Sequence, residues 1–181
     1  MTQIFEELNN QHKNIVTLIH MIENQIDRVA NEEMPNVSLL LDIMQYLTRY
    51  VDVSHHPTEE LLIARYEQSE APENHEVHEC KLQHRQLLGL GREFLAIVEA
   101  VREEQLVERV EFERVGREFI QKQLDHIDLE EGKVFPVLKK SLNKKALKEV
   151  REELAQSKDP LFGDIVDKEY QKLYDYIIRS A

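Results

Sequence analysis

The sequence predicts an all-α fold, an antiparallel up-and-down four-helix bundle with a C-terminal helical appendage in the same domain. Three observations predict it. Apolar residues recur at gaps of three and four along four long segments, the spacing that lines one stripe of an amphipathic helix. Five glycines and five prolines in 181 residues leave few breaks, so helices are long and turns few. No stretch alternates polar and apolar residues over the length of a strand.

The first stripe is Ile4, Leu8, His12, Ile15, Ile19, Ile22, Ile26 and Val29, with a histidine inside it. Asn31-Glu32-Glu33-Met34-Pro35-Asn36 reads as a turn. A second stripe runs through Leu40, Met44, Leu47 and Val51 and continues in register through His55, Glu59, Leu62 and Tyr66. Pro57 has no backbone donor and predicts a kink in this helix. After a break at Glu70-Ala71-Pro72-Glu73-Asn74, the third stripe is Val77, Cys80, His84, Leu87, Gly91, Phe94, Val98 and Val101. The fourth is Phe112, Val115, Phe119, Gln123, His126, Glu130, Val134 and Val137, ending near Pro136 and the basic pair Lys139-Lys140, which suits a helix C-terminus.

Residues 1–141 form the bundle and 142–181 the appendage. Asn143 is placed to cap a short helix through about Gln156. Ser157-Lys158-Asp159-Pro160 reads as a turn, and a weaker helical pattern runs from Ile165 to Ile178. This tail is expected to pack over one end of the bundle.

Composition narrows the function. A formal charge of −12 argues against nucleic-acid backbones and anionic membranes, because phosphate binders need a positive footprint. No apolar run approaches the roughly 18 residues of a membrane span, and the N-terminus lacks the basic-then-apolar build of a signal peptide, so a cytoplasmic location is expected. One cysteine excludes a disulfide framework and any site built from several thiolates of one chain. Eight histidines in so acidic a chain stand out.

An internal repeat organises them. Gln11-His12-Lys13-Asn14-Ile15-Val16-Thr17-Leu18 matches Gln83-His84-Arg85-Gln86-Leu87-Leu88-Gly89-Leu90 in residue type at nearly every position, 72 residues later. His55-His56-Pro57-Thr58-Glu59-Glu60 matches His126-Ile127-Asp128-Leu129-Glu130-Glu131, 71 residues later. Two helical hairpins therefore pack about an approximate two-fold axis, and each presents one lone histidine and one His-x-x-x-Glu pair. Positions i and i+4 share a helix face about 6 Å apart. Each pair can aim at one point.

Burying Glu59 and Glu130 in apolar seams costs roughly several kcal/mol each without compensation, and no Lys or Arg lies in the stripes. Two metal ions remove the objection. Four imidazoles and two carboxylates suit iron, and manganese or zinc as substitutes. With two histidines per ion and both carboxylates bridging, each ion has four protein ligands and keeps room for a bridging oxygen and an exchangeable position. Such a position suits dioxygen, nitric oxide or peroxide.

The chain resembles the hemerythrin-like family of haemerythrin HHE cation-binding domains over essentially its whole length. His12 is similar to the lone histidine of that family's first helix, His55-His56-Pro57-Thr58-Glu59-Glu60 to its His-His-Pro-Lys-Glu-Glu motif, His84 to its third-helix histidine, and His126 through Glu131 with Val134-Phe135-Pro136 to its fourth-helix motif. Asp159-Pro160-Leu161-Phe162-Gly163 resembles a tail segment of bacterial members. The resemblance implies a non-haem diiron centre that serves in dioxygen binding or sensing, or in iron–sulfur repair under nitrosative stress. Oxygen carriers place two histidines four apart on the third helix, and here the earlier position is Cys80. The chain is thus nearer the four-His, two-Glu branch than the oxygen carriers.

Several readings compete. His56 with Glu60 is a second His-x-x-x-Glu pair, rotated about 100° around the helix, but Ile127 replaces His56 in the matching motif. Glu131 is a second choice to Glu130. Cys80 is a thiolate ligand or a small apolar filler. His20 is expected to be partly buried and hydrogen-bonded, and His75 and His78 to be exposed. A ferritin-like diiron enzyme requires Glu-x-x-His on two helices, and no histidine here has a Glu three residues before it. A metal-free adaptor leaves the buried carboxylates unexplained. The expected protein binds metal and a small ligand rather than acting as a defined catalyst.

Overall fold

The computed structural model describes residues 3–154 and 159–180. The first rod is α1 (Gln3–Ala30). The second is one continuous helix in three parts, α2 (Val37–Tyr46), a π-helical stretch Leu47–His55 and α3 (His56–Glu67). The third is α4 (His75–Arg102), and the fourth comprises α5 (Arg109–Leu129), a π-helical stretch Glu130–Val134 and α6 (Phe135–Ser141). Short connections at 31–36, 68–74 and 103–108 make successive rods antiparallel neighbours. α7 (Lys144–Leu154) and α8 (Gln171–Ser180) complete the chain. No strand occurs among the described residues, so the fold is the all-α bundle expected.

The rods start and stop on local chemistry. Asn36 and Asn74 each accept from a backbone N–H three residues on, Leu39 and Val77, satisfying donors the first helical turn leaves orphaned. α1 and α4 end on the same device. Glu32 (φ 64°) and Glu104 (φ 57°) are left-handed, and the following residues reach back, Glu33 N to Arg28 O and Gln105 N to Ala100 O, closing Schellman motifs. These two glutamates are 72 residues apart, so the repeat extends to the helix ends. At mid-bundle Gly116 brings α1, α4 and α5 together: a Cβ there would lie 2.5 Å from Ile26 Cδ1 and 2.9 Å from Phe94 Cε2.

The apolar core is split. One half gathers Ile19, Ile22, Leu40, Met44, Phe94 and Phe119, and the other Phe5, Leu8, Leu62, Val134, Phe135 and Leu138. Between them lies a layer of buried polar residues.

The appendage differs from expectation. It does not cap one end: Leu147 and Val150 of α7 join the second half of the core beside α3, whereas Leu161, Tyr170 and Leu173 join the first half and α8 packs on α2. The Asn143 cap is present, its side chain accepting from Ala146 N at 3.0 Å. The helix expected from Ile165 starts only at Gln171, and Ile165 is exposed. Turns hold the chain there instead: the Asp159 carboxylate takes the Leu161 and Phe162 N–H groups, Asp167 N donates to Pro160 O at 2.8 Å and Tyr170 N to Asp167 O at 2.9 Å. Gln156, Ser157 and Lys158 lie outside the described residues.

Candidate metal centre

Both His-x-x-x-Glu pairs sit beside widened helix turns with an identifiable cause. Pro57 and Pro136 have no N–H for the carbonyl four residues back, and their rings crowd it. Each proline is preceded by a π-helical stretch in which the hydrogen bond spans five residues, His56 N to Val51 O and Phe135 N to Glu130 O. The helix thus passes Pro57 by a π-widened turn, a device often found at functional sites. One stretch ends on His55 and the other begins on Glu130.

His12, His55, Glu59, His84, His126 and Glu130 converge in the polar layer, each 5 % exposed or less. His12 Nε2 lies 3.4 Å from Glu59 Oε1 and 3.2 Å from Glu130 Oε2. His84 Nε2 lies 3.5 Å from Glu59 Oε2 and 3.4 Å from Glu130 Oε1. His55 Nε2 and His126 Nε2 face the carboxylate one turn on, Glu59 at 3.2 Å and Glu130 at 3.4 Å. Among the described residues no Lys or Arg pairs with either carboxylate.

Every imidazole is held from behind. His55 Nδ1 donates to Gln11 Oε1 (2.7 Å) and His126 Nδ1 to Gln83 Oε1 (3.2 Å). His12 Nδ1 donates to Glu131 Oε1 (2.9 Å) and His84 Nδ1 to Glu60 Oε1 (3.1 Å). Because each acceptor is an oxygen, each Nδ1 carries the proton. That leaves Nε2 directed inward, the orientation that outer partners give metal-binding histidines. The sequence offers Glu60 and Glu131 as alternative ligands, and the structure places them behind His84 and His12 instead; Gln11 and Gln83 carry no functional signal beyond the repeat, which pairs them with each other as it pairs Glu60 with Glu131.

The electrostatics fit a cation. Burial alone would raise the Glu59 carboxyl, but the imidazoles of His55, His12 and His84 hold it well below the carboxylate range. Burial and the Glu59 charge oppose ionisation of Glu130, yet His126, His12 and His84 hold it low as well. Burial would lower His12, but Glu130 and Glu59 raise it to about 10, and His84, likewise opposed by burial, is raised by Cys80 and then by Glu130 and Glu59. Burial keeps His55 low and His126 at about 4. The imidazoles thus offset the two buried carboxylates, with no Lys or Arg beside them among the described residues.

That balance leaves atoms unmatched. His12 Nε2, His126 Nε2, both Glu59 oxygens and Glu130 Oε2 are buried without a hydrogen-bond partner. Unpartnered buried polar atoms are costly, and here they face one another. Ligand atoms of His12, His55, Glu59 and Glu130 lie within 4.8 Å of each other, as do those of Cys80, His84, His126 and Glu130, and those of His56, Glu59, His84 and His126. The donor set therefore fits metal ions, with Glu59 and Glu130 placed between two histidine pairs.

The neighbours of the layer also differ from expectation in places. Glu60 and Glu131 back the imidazoles of His84 and His12, and His56 is buried, its Nδ1 3.2 Å from Asp52 Oδ1 and its ring stacked on His84 at 4.6 Å. His20 is exposed, with only Glu23 at 3.4 Å, because it lies beside the apolar stripe of α1 and not on it. His75 and His78 are exposed as expected. The Phe135 ring stacks on His12 at 5.5 Å and closes the layer on the side of the second core half. Between α3 and α4 a cavity of about 560 Å³ reaches His56 and His84, with Pro57, Leu61 and Leu88 in its wall.

No helix among the described residues is long and apolar enough to cross a membrane. The family model described as hemerythrin HHE cation binding domain matches residues 3–138, which include the first three rods, the fourth as far as Leu138 and all six converging residues. No curated protein and no solved structure matches the chain.

Proposed function

The chain belongs to the hemerythrin HHE cation-binding family, and from that premise we propose that it is a non-haem diiron protein that binds or senses a small molecule, dioxygen, nitric oxide or peroxide. In this reading His12 and His55 would hold one iron, His84 and His126 the other, and Glu59 and Glu130 would serve both. The observation that carries it is the set of buried, unpartnered Nε2 and carboxylate oxygen atoms facing each other across one layer. Bound iron supplies a Lewis acid with an exchangeable position and a change of oxidation state.

The protein's own residues do the rest. Gln11, Gln83, Glu60 and Glu131 fix the imidazole tautomers, and Phe135 with the two core halves excludes bulk water. The cavity at His56 and His84 is roomy for a diatomic molecule or peroxide and supports access from one side. The setting is cytoplasmic in this proposal, the role lies in oxidative or nitrosative stress, and no residue is assigned as a general acid or base. Iron-loaded, reduced protein exposed separately to dioxygen, nitric oxide and peroxide tests the reading. A distinct optical change with at least one of them supports it. Spectra unchanged by all three contradict it.

A further inference from the structure

Two of the differences between the halves of the repeat change a residue that can donate to a metal beside the polar layer. Cys80 stands where the first half has Leu8, and His56 where the second half has Ile127. Both exceptions add a donor to the same side, that of His84 and His126. The Cys80 thiol donates to Glu130 Oε1 at 3.2 Å and lies 3.7 Å from His84 Nε2, fully buried. Beside it, His126 Nε2 and Glu130 Oε2 are buried with no hydrogen-bond partner. Ligand atoms of Cys80, His84, His126 and Glu130 fall within 4.8 Å of one another, and the separations of Cys80 Sγ, His84 Nε2 and Glu130 Oε1, 3.2, 3.4 and 3.7 Å, are those of atoms around one ion at metal–ligand distances of about 2.0–2.3 Å.

We propose that Cys80 is a thiolate ligand to the metal ion held by His84 and His126, which makes the two ions of the centre chemically unequal. The inference rests on the two-metal reading above. A filler role does not account for the position, because the matching Leu8 shows what a filler looks like there, an apolar side chain with no donor to offer a carboxylate. His56, the other candidate donor on this side, is already paired with Asp52 and lines the cavity. On ligation the Sγ–H bond breaks, an Sγ–metal bond forms, the proton passes to the buffer and the metal keeps its oxidation state. Sulfur is the softest donor in the set, so this position fills first with a thiophilic divalent ion.

The test is an anaerobic titration of the full, metal-free chain with Co²⁺, comparing wild type, Cys80→Ser and Cys80→Ala. Serine keeps a hydroxyl to donate to Glu130, which separates ligation from a structural role. An intense near-ultraviolet thiolate-to-cobalt band is expected to rise with the first equivalent in wild type and to be absent from both variants. Affinity for that equivalent is expected to fall at least tenfold in the variants, the lower end of what loss of an outer-shell partner alone costs. Two cobalt ions bound with the same near-ultraviolet spectrum in wild type and Cys80→Ser overturns the inference and leaves the metal reading standing. Wild type that binds no cobalt overturns both.

Discussion

His12 Nδ1 donates to Glu131 Oε1 across 2.9 Å, joining the first rod to the widened turn of the fourth. The counterpart of this contact, His84 to Glu60 at 3.1 Å, joins the third rod to the second. Each half of the repeat thus orients the lone histidine of the other half, while the remaining histidines are held within their own half, His55 by Gln11 and His126 by Gln83.

Such outer partners set ligand orientation and basicity, and losing one costs about 10–100-fold in metal affinity. Glu131→Ala and Glu60→Ala are therefore expected to weaken iron binding by roughly that factor while helicity stays unchanged. Competition with a chelator of known affinity measures it. Wild-type affinity in both variants would show that the contacts do not support the centre.

Much of this layer was legible in the sequence because buried helical residues repeat every three or four positions, and polar residues that hold those positions stand out against apolar neighbours. His12, His55, Glu59, His84, His126 and Glu130 are such residues. The π-helical stretches were not legible: a one-residue insertion in the hydrogen-bond ladder leaves the apolar spacing almost unchanged, and Pro57 signals a disturbance without its form. Gln11 and Gln83 were hidden for a different reason, since they flank the ligand positions and read as ordinary polar residues until the fold brings the rods together. The tail misled because Ile165 fits a helical pattern, whereas the Asp159 side chain and the Asp167 N to Pro160 O bond hold the backbone in turns on either side of it.

Gly116 is expected to resist substitution. Alanine would gain up to about 1 kcal/mol in helix propensity but places a methyl 2.5 Å from Ile26 Cδ1, and overpacking costs about 1–3 kcal/mol. Gly116→Ala should therefore lower stability by about 1 kcal/mol in chemical denaturation. A midpoint equal to or above wild type would contradict the close approach of the rods.

Glu104 has the opposite sign. It holds a left-handed conformation at the C-terminus of α4, where a side chain costs about 1 kcal/mol and glycine is at ease. Glu104→Gly is expected to stabilise by about 0.5–1 kcal/mol, read as a rise in thermal midpoint. A fall would mean that the Schellman motif does not limit this helix end.

The tail is tied to the bundle by Tyr46 Oη, which donates to Asp159 Oδ2 at 3.0 Å. Burial, with the Asp159 charge, raises Tyr46 far above its ordinary value of 10.0 and pushes Tyr50 up to about 12. A group raised in the folded state contributes stability that is complete below its unfolded pKa and disappears as pH climbs through the folded one. Thermal stability should therefore decline as pH rises from about 10 towards 12, and Tyr46→Phe should flatten that decline while lowering stability at pH 8 by about 1 kcal/mol through the lost hydrogen bond. An identical alkaline decline in the variant would remove Tyr46 from the account.

Metal content tests the central claim most directly. Elemental analysis of purified wild type and of the double variant Glu59→Ala, Glu130→Ala is predicted to give about two irons per wild-type chain, with a near-ultraviolet oxo-bridge band, and a clear loss of iron in the variant. The wild-type protein binding no metal, with its folding unchanged by chelators, would contradict it.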